Sequence, residues 1–96
     1  IVSGPIRGRT YYQYDFTNEQ YEALIKLVAT LHCALPRMQI DAPRGADGKV
    51  RTDTLSAQEL AAWSGLLGHY HVQTNKTDPG PAFDWERVIR GARRAL

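Results

Sequence analysis

The run from Thr17 to Pro36 leaves this chain the least choice. Thr17-Asn18-Glu19-Gln20 has the form of a capping box, with the Thr17 hydroxyl accepting from the Gln20 amide and the Gln20 side chain reaching back. Phe16 and Tyr21 flank it as a hydrophobic staple. Tyr21, Leu24, Ile25, Val28, Leu31 and Leu35 then recur at the spacing of one apolar helix face, and Pro36 stops the run. A core helix is expected here, and the rest of the chain must fold around it.

Two more helices follow the same logic. Ser56-Ala57-Gln58-Glu59 repeats the capping box with Leu55 and Leu60 as staple, predicting a short helix through about Trp63, before Gly65. Asp84 caps a third helix, on which Trp85, Val88, Ile89, Ala92 and Leu96 form the apolar stripe and Arg87, Arg90 and Arg94 occupy another face. Arginines near a helix C-terminus suit its dipole, so a solvated face accounts for them.

Extended structure is expected in shorter pieces. Leu66-Leu67-Gly68-His69 is short, apolar and bounded by Gly65 and a polar loop, the pattern of a buried strand delivering His69 at its C-terminal edge, where sites sit in α/β sheets. Arg9 to Phe16 alternates aromatics and reads as an edge strand or an extended loop laying tyrosines along a groove. Ile1-Val2 resembles the end of a strand broken by Gly4-Pro5. Arg37 to Thr54 is a long surface excursion with an Asp47-Gly48 turn signal, a loose hairpin. The fold class is therefore α/β (α+β): a single domain over residues 1–96 with about three helices, a short central strand and long loops.

Size and charge narrow the functions. At 96 residues the chain buries only about 60–65% of the surface its unfolded form exposes, so its core is thin. No apolar run is long enough to span a membrane. Twelve basic residues against ten acidic ones, a net charge of +2, do not make the dense basic face of a nucleic-acid binder. The single Cys33 excludes an internal disulfide.

Chemistry concentrates in Gly68-His69-Tyr70-His71-Val72-Gln73-Thr74-Asn75-Lys76-Thr77-Asp78-Pro79-Gly80-Pro81. His69, His71 and Asp78 are donors of the kind zinc takes, and in an extended segment His69 and His71 would point to the same side. Pro79, Gly80 and Pro81 hold the Asp78 backbone in a rigid turn. Lys76 would place a cation beside a metal-bound water, where it stabilises the oxyanion formed on attack at a carbonyl.

Gly68-His69, followed by Lys76-Thr77-Asp78-Pro79-Gly80-Pro81-Ala82-Phe83-Asp84-Trp85, resembles the C-terminal signature of the zinc-dependent N-acetylmuramoyl-L-alanine amidases of the type-2 family, relatives of phage lysozyme-like amidases and of peptidoglycan recognition proteins. The likeness covers essentially the whole chain apart from the Arg37–Thr54 excursion. It implies a hydrolase that cuts the amide between N-acetylmuramic acid and the L-alanine of the peptidoglycan stem peptide. It also implies Zn2+ as cofactor, His69 and Asp78 as metal ligands, and Lys76 as the catalytic cation that polarises the scissile carbonyl. His71 falls where relatives carry other polar residues, and is expected in the second shell or facing substrate.

Two members of the family's site have no counterpart. The first zinc histidine sits on an early strand of the family fold, and the acid/base glutamate on a strand just before the first capped helix. Glu19, Glu22, Glu59 and Glu86 all fall on expected helices, and His32 lies on the first one. On this likeness the chain corresponds to the C-terminal portion of an amidase domain. Ile1-Val2 would end the strand that carries the glutamate, and the N-terminal portion would be supplied as a separate fragment. The chain alone is then expected to be inactive and to leave a sheet edge unpaired. Two other readings compete: a non-catalytic peptidoglycan-binding module, and a structural zinc or interaction domain whose tetrahedron closes through His71 and Cys33. The substrate's location favours the cell envelope, periplasmic or secreted, over the cytoplasm.

Overall fold

The computed structural model describes residues 1–96. Its elements in chain order are strands β1 (Val2–Ile6) and β2 (Arg9–Gln13), then helices α1 (Asn18–Ala34), α2 (Ala57–Ala62), α3 (His69–Val72) and α4 (Trp85–Arg94). The result is a small α+β domain with one two-stranded antiparallel sheet.

β1 and β2 form a hairpin in which Val2 pairs with Gln13 and Ile6 with Arg9. The two connecting residues, Arg7 and Gly8, both have positive φ (52° and 77°). This is the twist-matching turn that suits a two-residue hairpin. Gly4-Pro5 therefore does not break a strand, as the sequence suggested: β1 runs straight through it. Proline lacks an N–H but is tolerated in a strand that keeps an outer edge. With only two strands, both outer edges of the ribbon are unpaired.

The capping boxes form as expected. The Thr17 hydroxyl accepts from the Gln20 amide at 3.1 Å while Gln20 Oε1 accepts from the Thr17 amide at 2.8 Å. Ser56 and Glu59 make the same exchange at 3.2 and 2.8 Å. Asp84 accepts from the Arg87 amide at 3.1 Å and opens α4. α1 packs on α4, and the core they share holds Tyr21, Val28, Ala29, Val88, Ile89 and Ala92, closed from the excursion by Ile40 and Ala42. The helices approach closely at Gly91, where a Cβ would lie 2.5 Å from Ile25 Cδ1. Not all of the predicted stripe is buried: Leu31 and Leu35 are 39% and 57% exposed, as is Leu27, one turn before Leu31, at 54%.

The excursion is the loose hairpin expected, reduced to one bridge between Arg44 and Val50 around the Asp47-Gly48 turn. It is fastened to α4 by Arg44, whose guanidinium donates to both Glu86 oxygens at 2.6 and 2.8 Å and to Asp41 at 3.0 Å.

The short central strand is the one element that does not form. Leu66 keeps a single strand-like bond, its amide to the Asp41 carbonyl at 2.9 Å. From Gly68 the chain turns into α3 instead. The reason is local: His71 folds back so that its Nδ1 accepts the Gly68 amide at 2.9 Å, the side-chain half of a capping box made by histidine. No helix is long and apolar enough to cross a membrane.

Candidate metal site at the junction of α3 and the Thr77–Gly80 turn

α3 decides what the two histidines do. In a strand His69 and His71 would share a face, but in a helix residues two apart diverge by about 200°. His69 is accordingly exposed and His71 fully buried, at 0% exposure.

Both nitrogens of His71 are committed. Nδ1 accepts from Gly68, so Nε2 carries the proton and donates to the Arg51 carbonyl at 2.6 Å. Tyr70 and Trp85 pack against the ring at centroid distances of 4.6 and 5.5 Å. Burial pushes the imidazole below the ordinary histidine range, which keeps it neutral. A substrate-facing place is closed to it. What it retains is the supporting one, because it fixes the helical turn on which His69 stands.

His69 faces the other way and meets the turn that carries Asp78. Its Nδ1 lies 3.2 Å from Asp78 Oδ2, and its Nε2 lies 3.0 Å from Gln73 Oε1, one helical turn along. A neutral imidazole donates from one nitrogen only. When Nε2–H serves Gln73, the Nδ1 lone pair and a carboxylate oxygen face each other with no proton between them, the electrostatic demand a cation meets. Two ligands of a tetrahedral zinc stand about 3.3 Å apart, given metal–ligand bonds near 2.0–2.1 Å. His69 and Asp78 therefore fit two corners of a zinc site in both spacing and donor chemistry. No third His, Cys, Asp or Glu side chain joins them.

Asp78 is placed by backbone. Thr77 to Gly80 form a tight turn closed by the Gly80 amide on the Thr77 carbonyl at 2.8 Å, with a cis Asp78–Pro79 bond and φ of 87° at Gly80. The Asp78 carbonyl accepts from the Tyr70 amide at 3.2 Å, which ties the turn to α3.

The pair lies at the edge of a cavity of about 300 Å3 walled by Leu24, Val28, Leu66, Leu67, Phe83, Trp85 and Val88. Trp85 is oriented by its indole N–H, which donates to the buried Tyr70 hydroxyl at 2.8 Å. On the other side of the turn a shallower cleft runs between Asp78–Pro81 and the Tyr11-Tyr12-Gln13 end of β2. Tyr12 and Tyr14 are 74% and 80% exposed, whereas Tyr11 is half-buried with the Arg9 guanidinium over its ring.

The other candidates are dispersed. Lys76 is exposed in the loop, and its carbonyl accepts from Arg7 Nη1 at 2.9 Å. All four glutamates lie on helices, and Glu59 and Glu86 are held by Arg51 and Arg44. His32 Nδ1 is taken by the Met38 carbonyl at 2.6 Å. Cys33 is exposed on α1 and joins no donor cluster, so the tetrahedron through His71 and Cys33 does not assemble. Sequence reasoning missed Gln73, whose i+4 relation to His69 is a signal only once Gly68–Val72 is known to be helical. Compared with family models, curated proteins and solved structures, the chain finds no match.

Proposed function

We propose that this chain is the zinc-ligating portion of an N-acetylmuramoyl-L-alanine amidase of the type-2 family, contributing His69 and Asp78 as ligands. The observation that carries the reading is the 3.2 Å approach of His69 Nδ1 to Asp78 Oδ2 beside a largely apolar cavity. The long Lys76–Trp85 string supports it from the sequence side.

Bound zinc supplies a Lewis acid and lowers the pKa of its water into the neutral range. The chain's own residues do the rest of what it offers. With Gln73 Oε1 accepting the Nε2 proton, the His69 ring turns its Nδ1 lone pair toward Asp78. Asp78 presents a carboxylate from a turn whose backbone is bonded to α3. Lys76, exposed in the loop two residues before Asp78, would offer an ammonium to the oxyanion that develops at the muramoyl carbonyl. A further histidine and an acid/base glutamate come from a second polypeptide segment, and muropeptide in the cell envelope is the substrate.

Calorimetric titration with Zn2+ tests this directly. One site per chain is expected, lost in His69→Ala and in Asp78→Ala; a parent chain that takes up no zinc sinks the reading. Mass-spectrometric assay of N-acetylmuramoyl-L-alanyl peptide should show no release by the chain alone, and release once a segment bearing the missing histidine and glutamate is added. A non-catalytic peptidoglycan-binding module is favoured by one observation, the exposed Tyr12 on the cleft. It predicts retained muropeptide binding in Asp78→Ala.

A further inference from the structure

The Asp78 turn is gripped from a place 65 residues earlier in the chain. Gln13, the last residue of β2, donates from Nε2 to the Pro79 carbonyl at 3.1 Å and accepts on Oε1 from the Ala82 amide at 2.9 Å. One side-chain amide thus closes on both ends of the Pro79–Ala82 segment. Gly80, at the centre of that segment, leaves it room: a Cβ there would stand 2.3 Å from Gln13 Oε1. The far side of the segment is held as well, since the Ala82 carbonyl lies 3.1 Å from the Tyr21 hydroxyl, which accepts from the Asp84 amide at 3.0 Å.

We infer that Gln13 is a positioning residue for the metal ligand Asp78, its amide packed against a Gly80 whose φ of 87° already favours glycine. The inference rests on the zinc reading for its functional sense. The geometry behind it does not. Asp78 is exposed, and no side chain other than His69 bonds its carboxylate, so the direction it faces is set by the backbone of the turn. The Gln13 amide bonds neither His69 nor the Asp78 carboxylate. Its action passes through the Pro79 carbonyl, one peptide beyond Asp78, and this is how residues outside the ligand shell orient a ligand. Glutamine suits the position because its side-chain amide offers a donor and an acceptor on one planar group, spaced to meet the Pro79 carbonyl and the Ala82 amide together. Glutamate in its ionised form keeps the acceptor for Ala82 but sets an anionic oxygen against the Pro79 carbonyl.

The test uses the whole chain, Gln13→Ala, and two readouts: the Asp78 carboxyl 13C shift without metal, and the Zn2+ dissociation constant. Gln13→Ala should move the carboxyl shift and weaken zinc binding by about tenfold or more, as loss of an outer partner does, while far-UV circular dichroism stays that of the parent. Should Gln13→Ala unfold the hairpin, the isosteric Gln13→Glu carries the same two readouts, with the same direction expected. Unchanged carboxyl shift in the folded variant overturns the inference, as does zinc affinity equal to that of a zinc-binding parent. If the parent binds no zinc yet Gln13→Ala still moves the Asp78 shift, the zinc reading falls and the positioning role stands.

Discussion

His71 donates to the Arg51 carbonyl across the interior at 2.6 Å, joining α3 to the strand-like end of the excursion. The Leu55 amide returns a bond to the His71 carbonyl at 2.8 Å, so the connection is made in both directions. His71→Ala leaves the Gly68 amide and the Arg51 carbonyl unpaired and opens a cavity. It is expected to cost about 2–4 kcal/mol in urea unfolding. A cost indistinguishable from that of an exposed substitution such as Val72→Ala would contradict the role assigned to it.

Four groups give stability the same pH direction: His71, Glu86, and the carboxylates of Asp53 and Glu59, which the Arg51 guanidinium and the Ser56 amide respectively hold below the ordinary range. His71 is held neutral in the folded state, so its contribution is complete above the unfolded value near 6.5 and declines as pH falls below it. Glu86 is held below the ordinary carboxylate range by the Arg44 guanidinium, so its contribution is complete above 4.5 and is lost as pH falls through its folded value. The Glu86 side chain is 40% exposed, which limits the pair to about 1 kcal/mol or less. Thermal melts from pH 8 to 3 should therefore fall in two stages, and Glu86→Gln should reduce the lower one, to which Asp53 and Glu59 also contribute, while leaving the upper one unchanged.

Gln73→Ala leaves both proposed ligands in place but frees the His69 ring. Zinc affinity is expected to drop roughly tenfold, within the range for loss of a histidine's outer partner, with no change in melting temperature in the absence of metal. An affinity equal to the parent's would show that His69 is oriented by the turn alone.

At Gly91 two effects oppose each other. Alanine gains about 1 kcal/mol of helix propensity, whereas overpacking against a core side chain costs about 1–3 kcal/mol. With Ile25 Cδ1 only 2.5 Å from the added Cβ, the clash should win unless Ile25 is shortened. A double-mutant cycle with Ile25→Val, which removes that methyl, should show favourable coupling of about 0.5 kcal/mol or more; additivity would place the contact elsewhere.

The parts of this fold legible in the sequence are those written locally. Thr17, Ser56 and Asp84 announce three helices because a cap is a contact between residues two or three apart, and the Val88–Ala92 stripe says which side of α4 faces α1. Asp78 and His69 were legible as a pair from their surrounding string. α3 was not, because four residues are too few for a period to show, and the deciding contact is a histidine ring turning back on a glycine amide. The β1–β2 hairpin hid behind Arg7-Gly8, which lacks the asparagine or aspartate that usually signals such a turn. Gln13 was beyond reach for another reason: nothing in a glutamine at position 13 points to a carbonyl at position 79.

Because α3 separates His69 from His71 by rotation alone, the chemistry of this segment resides in its phase. Exchanging residues around the histidines leaves each on its own side of the helix. Inserting one residue after Gly68 would carry the His71 imidazole to the exposed place of Val72 and the His69 ring to the buried place of Tyr70 beside Trp85, with the composition almost unchanged. Length between Gly68 and His71 should therefore tolerate no drift, while the Thr74–Asn75 stretch, exposed and outside any helix, is where additions can be absorbed without disturbing either ring.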